Sequence, residues 1–76
     1  MRRWSIEPVL WEVRRQLGAY YSHANAAELL GENKRCWGRW VQRGYFVADE
    51  KKADDMAGKL GCHPVELWPD WYLVTV

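Results

Sequence analysis

Residues 22–44, SHANAAELLGENKRCWGRWVQRG, contain two short amphipathic segments separated by a turn. Ser22 and Asn33 are typical N-cap residues, and a glycine follows each segment, as is common where a helix ends. The stretch therefore predicts one helix at His23–Leu30 and a second at Lys34–Arg43. A glycine-led gap this short forces a sharp angle between the helices, which is the helix-turn-helix arrangement.

The second predicted helix has two unlike sides. Successive residues of a helix are 100° apart, so apolar and polar residues can be assigned to faces. Cys36, Trp37, Trp40 and Val41 fall on one side, while Arg35, Gly38, Arg39 and Gln42 fall on the opposite side, flanked by Lys34 and Arg43. A solvated helix face would show the same charges, so the charge pattern alone leaves both interpretations open.

The polar side has the chemistry that a DNA groove requires. Arginine binds the O6 and N7 of guanine with two hydrogen bonds, and glutamine binds the N6 and N7 of adenine. Lysine and flanking arginine suit phosphates, which contribute affinity without sequence information. Gly38 costs about 1 kcal/mol relative to alanine in a helix. Either its missing side chain allows close approach to a base, or it relieves crowding between Trp37 and other rings.

The segment 22–31, residues 33–40 and Gly44 resemble the lambda-repressor-like, or Cro/C1-type, helix-turn-helix family. Residues 57–69 are similar to the closing helices of that family, with an ending like that of Ner-like phage regulators. The resemblance covers roughly residues 20–70 and implies a compact five-helix DNA-binding domain. Glu32 departs from the small apolar turn residue of the family and would repel phosphate unless Arg35 or another cation neutralises it.

The resemblance also assigns DNA-facing positions. Ser22 and His23 occupy the place where the first helix of the motif usually contacts a phosphate. The recognition-helix positions, with the flanking arginine, are Asn33, Lys34, Arg35, Gly38, Arg39, Gln42 and Arg43.

Outside this motif, glycines and prolines divide the chain into further short helices. Ser5 can cap a helix that ends at Gly18, with Ile6, Leu10, Val13 and Leu17 on its apolar side. A fourth helix is expected at about 49–60 and a fifth from Pro64 to before Pro69, with Trp68 beneath the fourth. Residues 70–76 are rich in aromatic and β-branched side chains, as in a strand. We therefore expect one all-α, five-helix domain over 1–76 with an extended C-terminal tail.

Several classes of function are disfavoured by composition. The chain has a net charge of +1, and none of its apolar runs approaches the ~20 residues that span a bilayer. Its N-terminus lacks the pattern of a signal peptide, so a cytoplasmic location in a bacterial host is the expectation. Cys36 and Cys62, with His23 and His63, match no zinc spacing. Without a nucleophile–base or metal set, we expect neither an enzyme nor a cofactor.

We thus expect a sequence-specific regulator of transcription, a phage or prophage repressor or Cro-like protein that binds a double-stranded DNA operator. The alternative is a protein-interaction module that keeps the fold and binds a host or phage protein through aromatic residues. The tail Trp71–Val76 could pair with a second copy in a homodimer or cover the helices of a monomer. Whether Trp4, Trp11, Tyr20 and Tyr21 are core or interface residues stays open.

Overall fold

Five helices and two short strands form the part of the chain, residues 2–71, that the computed structural model describes. The elements are β1 (Arg2–Ser5), α1 (Glu7–Leu17), α2 (His23–Leu30), α3 (Lys34–Arg43), β2 (Tyr45–Ala48), α4 (Glu50–Lys59) and α5 (Pro64–Leu67). The five predicted helices are confirmed. The all-α class needs a correction, because the first residues of the chain and those after α3 form a sheet.

The two strands pair antiparallel and bring the N-terminus against the segment that follows α3. Trp4 lies opposite Phe46 in the register, and both side chains are buried. The indole Nε1 of Trp4 donates a hydrogen bond to the carbonyl of Ala48 over 2.9 Å. Since side chains alternate along a strand, one side of this sheet faces the core and the other side faces solvent.

An aromatic cluster fills the space between the sheet and the helices. The ring centroids of Trp4 and Trp68 are 5.0 Å apart, and those of Trp40 and Phe46 are 5.1 Å apart. Trp68 also donates from Nε1 to the carbonyl of Ser5 over 3.0 Å. The Trp68 ring also contacts the rings of Phe46 in β2 and Trp71, while its predicted position beneath the fourth helix stays a prediction. Trp4 is therefore a core residue, and large rings supply much of the apolar area that a short chain has available.

The ends of α2 and α3 are set by local hydrogen bonds, as predicted. Ser22 Oγ accepts from the amide of Asn25 over 3.1 Å, and Asn33 Oδ1 accepts from the amide of Arg35 over 2.8 Å. After α2 the chain reverses at Gly31, whose φ of 67° is left-handed. The amides of residues 31 and 32 bond back to the carbonyls of residues 28 and 27 in a Schellman motif. These bonds fix a three-residue connection before α3.

The apolar side of α1 differs from the prediction at its C-terminal end. Val13 is fully buried as predicted, Leu10 is only partly buried, and Leu17 is 39% exposed. Val9, which was not assigned to the apolar side, is fully buried. Ser5 lies in β1, although its Oγ still accepts from the amide of Glu7 over 3.3 Å. The first two turns of α1 are therefore more deeply buried than its last turn.

The remaining aromatic residues differ in their exposure to solvent. Trp11 is 60% exposed and Tyr20 fully exposed, whereas Tyr21 packs partly buried against the core. Trp71 also packs on the core, with its ring centroid 5.1 Å from that of Trp4. The rest of the predicted extended tail, residues 72–76, and the homodimer proposed through it lie outside the described residues.

Candidate nucleic-acid interface

The two-sided character predicted for α3 is confirmed by the burial of its side chains. Trp37 and Trp40 are buried in the core, with Cys36 and Val41 partly buried beside them. The opposite side faces solvent, and its exposed members are Lys34, Arg35, Arg39, Gln42 and Arg43. Rigid rings therefore anchor the helix from one side and leave the other side free to contact a ligand.

The cationic and amide groups on this outer side are not used by the protein itself. Within residues 2–71, the side chains of Lys34, Arg35, Arg39 and Gln42 make no hydrogen bond, ion pair or ring contact. Arginine and lysine in that state keep all of their N–H donors available. The outer side of α3 also contains no acidic residue. It is a solvent-exposed surface whose donors have no protein partner and whose charges are all positive.

Gly38 lies on this outer side, and packing does not explain it. A Cβ built at Gly38 would meet no atom within 4 Å beyond its chain neighbours and the backbone of its own helix. Its φ is not in the left-handed region, so the backbone conformation does not require glycine either. Crowding against rings elsewhere in the core is thus excluded as the reason. A ligand could therefore approach the backbone of α3 closely at this position.

Glu32, the acidic turn residue, is neutralised by a cation that the sequence did not identify. Lys52 of α4 places Nζ 2.9 Å from Glu32 Oε1, so another cation takes the role that Arg35 was one candidate for. A second lysine of α4, Lys59, donates from Nζ to the carbonyl of Leu30 over 3.1 Å. Lys52 therefore compensates the acidic side chain of the connection between α2 and α3, and Lys59 binds the last residue of α2.

The residues at the start of the two helices are exposed and retain donors. Ser22 and His23 lie at the beginning of α2, and Asn33 lies immediately before α3. In their capping bonds the Ser22 and Asn33 side chains act as acceptors, so the hydroxyl hydrogen and the amide NH₂ remain available. The unpaired amides of helix N-termini favour anions. All nine predicted site positions thus lie on α2, α3 or their caps.

Arg43 alone among the predicted α3 cations has partners inside the protein. Its Nη2 donates to the carbonyl of Tyr45 over 3.4 Å, and its Cζ lies 4.7 Å from the centroid of the Tyr45 ring. Arg3 of β1 stacks on the same ring at 4.6 Å. The basic surface therefore continues from α3 onto the sheet.

The two cysteines are free thiols that lie partly buried. Burial raises the pKa of the Cys62 thiol to about 11, and the nearby carboxylates of Glu12 and Glu66 act in the same direction. A thiol with such a pKa is protonated, and therefore a weak nucleophile, at neutral pH. Among residues 2–71, no three His, Cys, Asp or Glu side chains are grouped so that they could hold a metal ion.

No family model, curated protein or solved structure matches this chain. The resemblance of residues 20–70 to lambda-repressor-like proteins therefore stays a prediction. No helix in the described range 2–71 has the length and apolar character needed to cross a membrane.

The sequence analysis missed three residues that shape this surface, namely Arg3, Tyr45 and Lys52. Each acts through a partner that is distant along the chain or on another element, and none belongs to a motif. The only local signal was the run of Tyr45 and its aromatic and β-branched neighbours, which is typical of a strand.

Proposed function

We propose that this protein binds double-stranded DNA sequence-specifically, with α3 in the major groove, and acts as a small transcriptional regulator of the repressor or Cro-like type. The observation that supports this most is the outer side of α3, where cationic and amide side chains are exposed and unpaired. In this proposal α2, the connection 31–33 and α3 form a helix-turn-helix motif. An α-helix fits the width of the major groove, so its outer side would meet base edges.

The roles within the interface follow from the chemistry of each side chain. Arg35 and Arg39 can each donate two hydrogen bonds to the O6 and N7 of guanine. Gln42 can accept from N6 and donate to N7 of adenine. Lys34 and Arg43 at the ends of α3 suit phosphates. At the helix N-termini, the side chains of Ser22, His23 and Asn33 would contact the phosphate backbone of the DNA. The absence of a side chain at Gly38 would let the backbone of α3 come close to the bases.

Selection of bound duplexes from a random DNA pool tests this function. We expect a defined sequence to be enriched, and Arg39→Ala to reduce discrimination at one or two base pairs by about 1–3 kcal/mol. Arg14→Ala is the matched control, because Arg14 is an exposed arginine on α1. Far-UV circular dichroism should show that both variants are folded. No enrichment by the wild-type protein, or an unchanged preference in Arg39→Ala, contradicts the proposal.

The enriched sequence also tests the oligomeric state. An inverted repeat with half-sites about 10 base pairs apart would indicate that two copies bind as a dimer. A single unrepeated site would indicate a monomer.

A second candidate function is binding to a protein through the surface around Trp11. This side chain is 60% exposed and borders an apolar groove with Pro8, Leu67 and Pro69. Exposed aromatic residues beside apolar pockets are typical of protein interfaces. Salt separates the two functions: each neutralised phosphate contributes about −0.9 to the slope of log K against log salt, whereas apolar docking at Trp11 would be nearly independent of salt.

A further inference from the structure

The outer side of the two-stranded sheet presents a pair of cations on one aromatic ring. The register places Arg3 opposite Val47 and Ser5 opposite Tyr45, so these four residues share the side that faces away from the core. The Cζ atoms of Arg3 and Arg43 lie 4.6 Å and 4.7 Å from the centroid of the Tyr45 ring. Cation–π contacts of this kind hold a guanidinium in place without neutralising it.

This pair differs from two of the three other arginines on β1 and α1, which are bound to carboxylates. Arg2 is paired with Asp70, and Arg15 is paired with Glu12. Within residues 2–71, neither Arg3 nor Arg43 has a carboxylate partner. Two like charges on one ring repel each other, and an anion between or beside them would relieve that repulsion.

Position along the chain connects the pair to α3. Arg43 is the last residue of α3, and Tyr45 opens β2 after the single residue Gly44. A ligand along the outer side of α3 therefore reaches this pair at the C-terminal end of the helix. Guanidinium groups held in a fixed position favour phosphate oxygens, which accept hydrogen bonds in pairs.

We infer that Arg3 and Arg43, both stacked on Tyr45, form a phosphate clamp that binds the DNA backbone next to the bases contacted by α3. The inference rests on the proposed DNA-binding function and names a contact that this function alone does not require. Phosphates are common to all sequences, so the clamp adds affinity and fixes orientation but does not select bases. The two guanidiniums on the Tyr45 ring, with no acidic residue among the four on this side, favour DNA as the occupant.

The salt dependence of binding of Arg3→Gln tests the clamp. We expect the slope of log K against log salt to be less steep for this variant than for wild type by about 0.9. Between 50 and 200 mM salt, the affinity of wild type should therefore fall by a factor about threefold larger than that of the variant. Affinity at low salt should fall by a similar factor for the selected duplex and for an unrelated duplex. Arg3→Lys should keep most of the slope, because the charge remains.

Three further variants separate the clamp from a general effect of charge. Arg14→Gln is the matched control, since Arg14 stacks alone on Trp11, with its Cζ 5.3 Å from the ring centroid. Tyr45→Leu should reduce affinity for both duplexes, because it removes the ring that holds both guanidiniums, while Tyr45→Phe should not.

The possible outcomes distinguish this inference from the proposed function. If the wild-type protein binds DNA but the slope is unchanged in Arg3→Gln, the clamp is overturned and the α3 interface is not. The same conclusion follows if Arg14→Gln changes the slope by as much as Arg3→Gln. Failure of the wild-type protein to bind any duplex overturns both. A change in sequence preference in Arg3→Gln also overturns the clamp, because it would place Arg3 at the bases.

Discussion

Replacement of Gly38 by alanine should stabilise the protein and weaken its binding to DNA. The position lies inside α3, and an added Cβ meets no neighbour within 4 Å. Alanine is favoured over glycine within a helix by about 0.8–1.0 kcal/mol. For a domain of this size, a gain of 1 kcal/mol raises Tm by about 4–8 °C. The free energy of unfolding should therefore rise by close to this full difference in helix propensity.

The effect on DNA binding should have the opposite sign. The methyl group would project from the outer side of α3, where the helix backbone is proposed to approach the bases. If the helix must move away from the DNA to accommodate this methyl group, the proposed hydrogen bonds from Arg39 to the bases lengthen. We expect the affinity for the selected duplex to fall at least about tenfold, which corresponds to 1.4 kcal/mol.

Gly58→Ala provides the matched control for this prediction. Gly58 is a helical glycine of α4 with no positive φ and no atom within 4 Å of an added Cβ. Thermal unfolding followed by circular dichroism should show both variants at or above the Tm of wild type. Fluorescence anisotropy with a labelled duplex should show weakened binding for Gly38→Ala only. A stabilised Gly38→Ala variant with wild-type affinity would refute the close approach, and a destabilised one would refute the packing argument.

Three further changes have definite expected results. Trp40→Ala should lower the free energy of unfolding by about 3–5 kcal/mol, against less than about 1 kcal/mol for the exposed Trp11→Ala; equal midpoints in urea denaturation would exclude a core role for Trp40. Lys52→Met leaves Glu32 uncompensated and should weaken DNA binding roughly threefold, from a Coulomb energy of about 0.6 kcal/mol for unit charges ~7 Å apart in water. Additional Glu32→Gln should restore affinity in the same anisotropy assay, and a double variant as weak as the single one would contradict the neutralising role. The pKa of Cys62, raised from 9.0 to about 11 on folding, means that the unfolded chain loses its proton first, so stability should fall as pH rises from about 9 to 11. Denaturant midpoints across that range should fall more for wild type than for Cys62→Ser, and parallel curves would contradict the shift.

The parts of the fold that the sequence predicted are those fixed by neighbours in the chain. The caps Ser22 and Asn33 bond to amides two or three residues away, and the reversal at Gly31 depends on its own backbone. The two sides of α3 likewise follow from helical periodicity. These features depend on short-range geometry, which a pattern of residue types can represent.

The parts that the sequence did not predict depend on contacts between distant residues. The pairing of Trp4 with Phe46 joins positions 42 residues apart, and the strand containing Trp4 has only four residues. A strand so short shows no alternating pattern that would distinguish it from a loop. The partner of Glu32 could not be predicted from the sequence either. Several lysines could neutralise Glu32, and only the packing of α4 selects Lys52.

Titration of the ¹⁵N-labelled protein with its selected duplex, followed by amide chemical shifts, tests the role of α3 most directly. The largest shifts should fall on residues 34–43 and on the amides that precede α2 and α3, with little change around Trp11. Shifts centred on Trp11 and Leu67, or none on α3 at saturating duplex, would contradict the proposal that the outer side of this helix binds DNA.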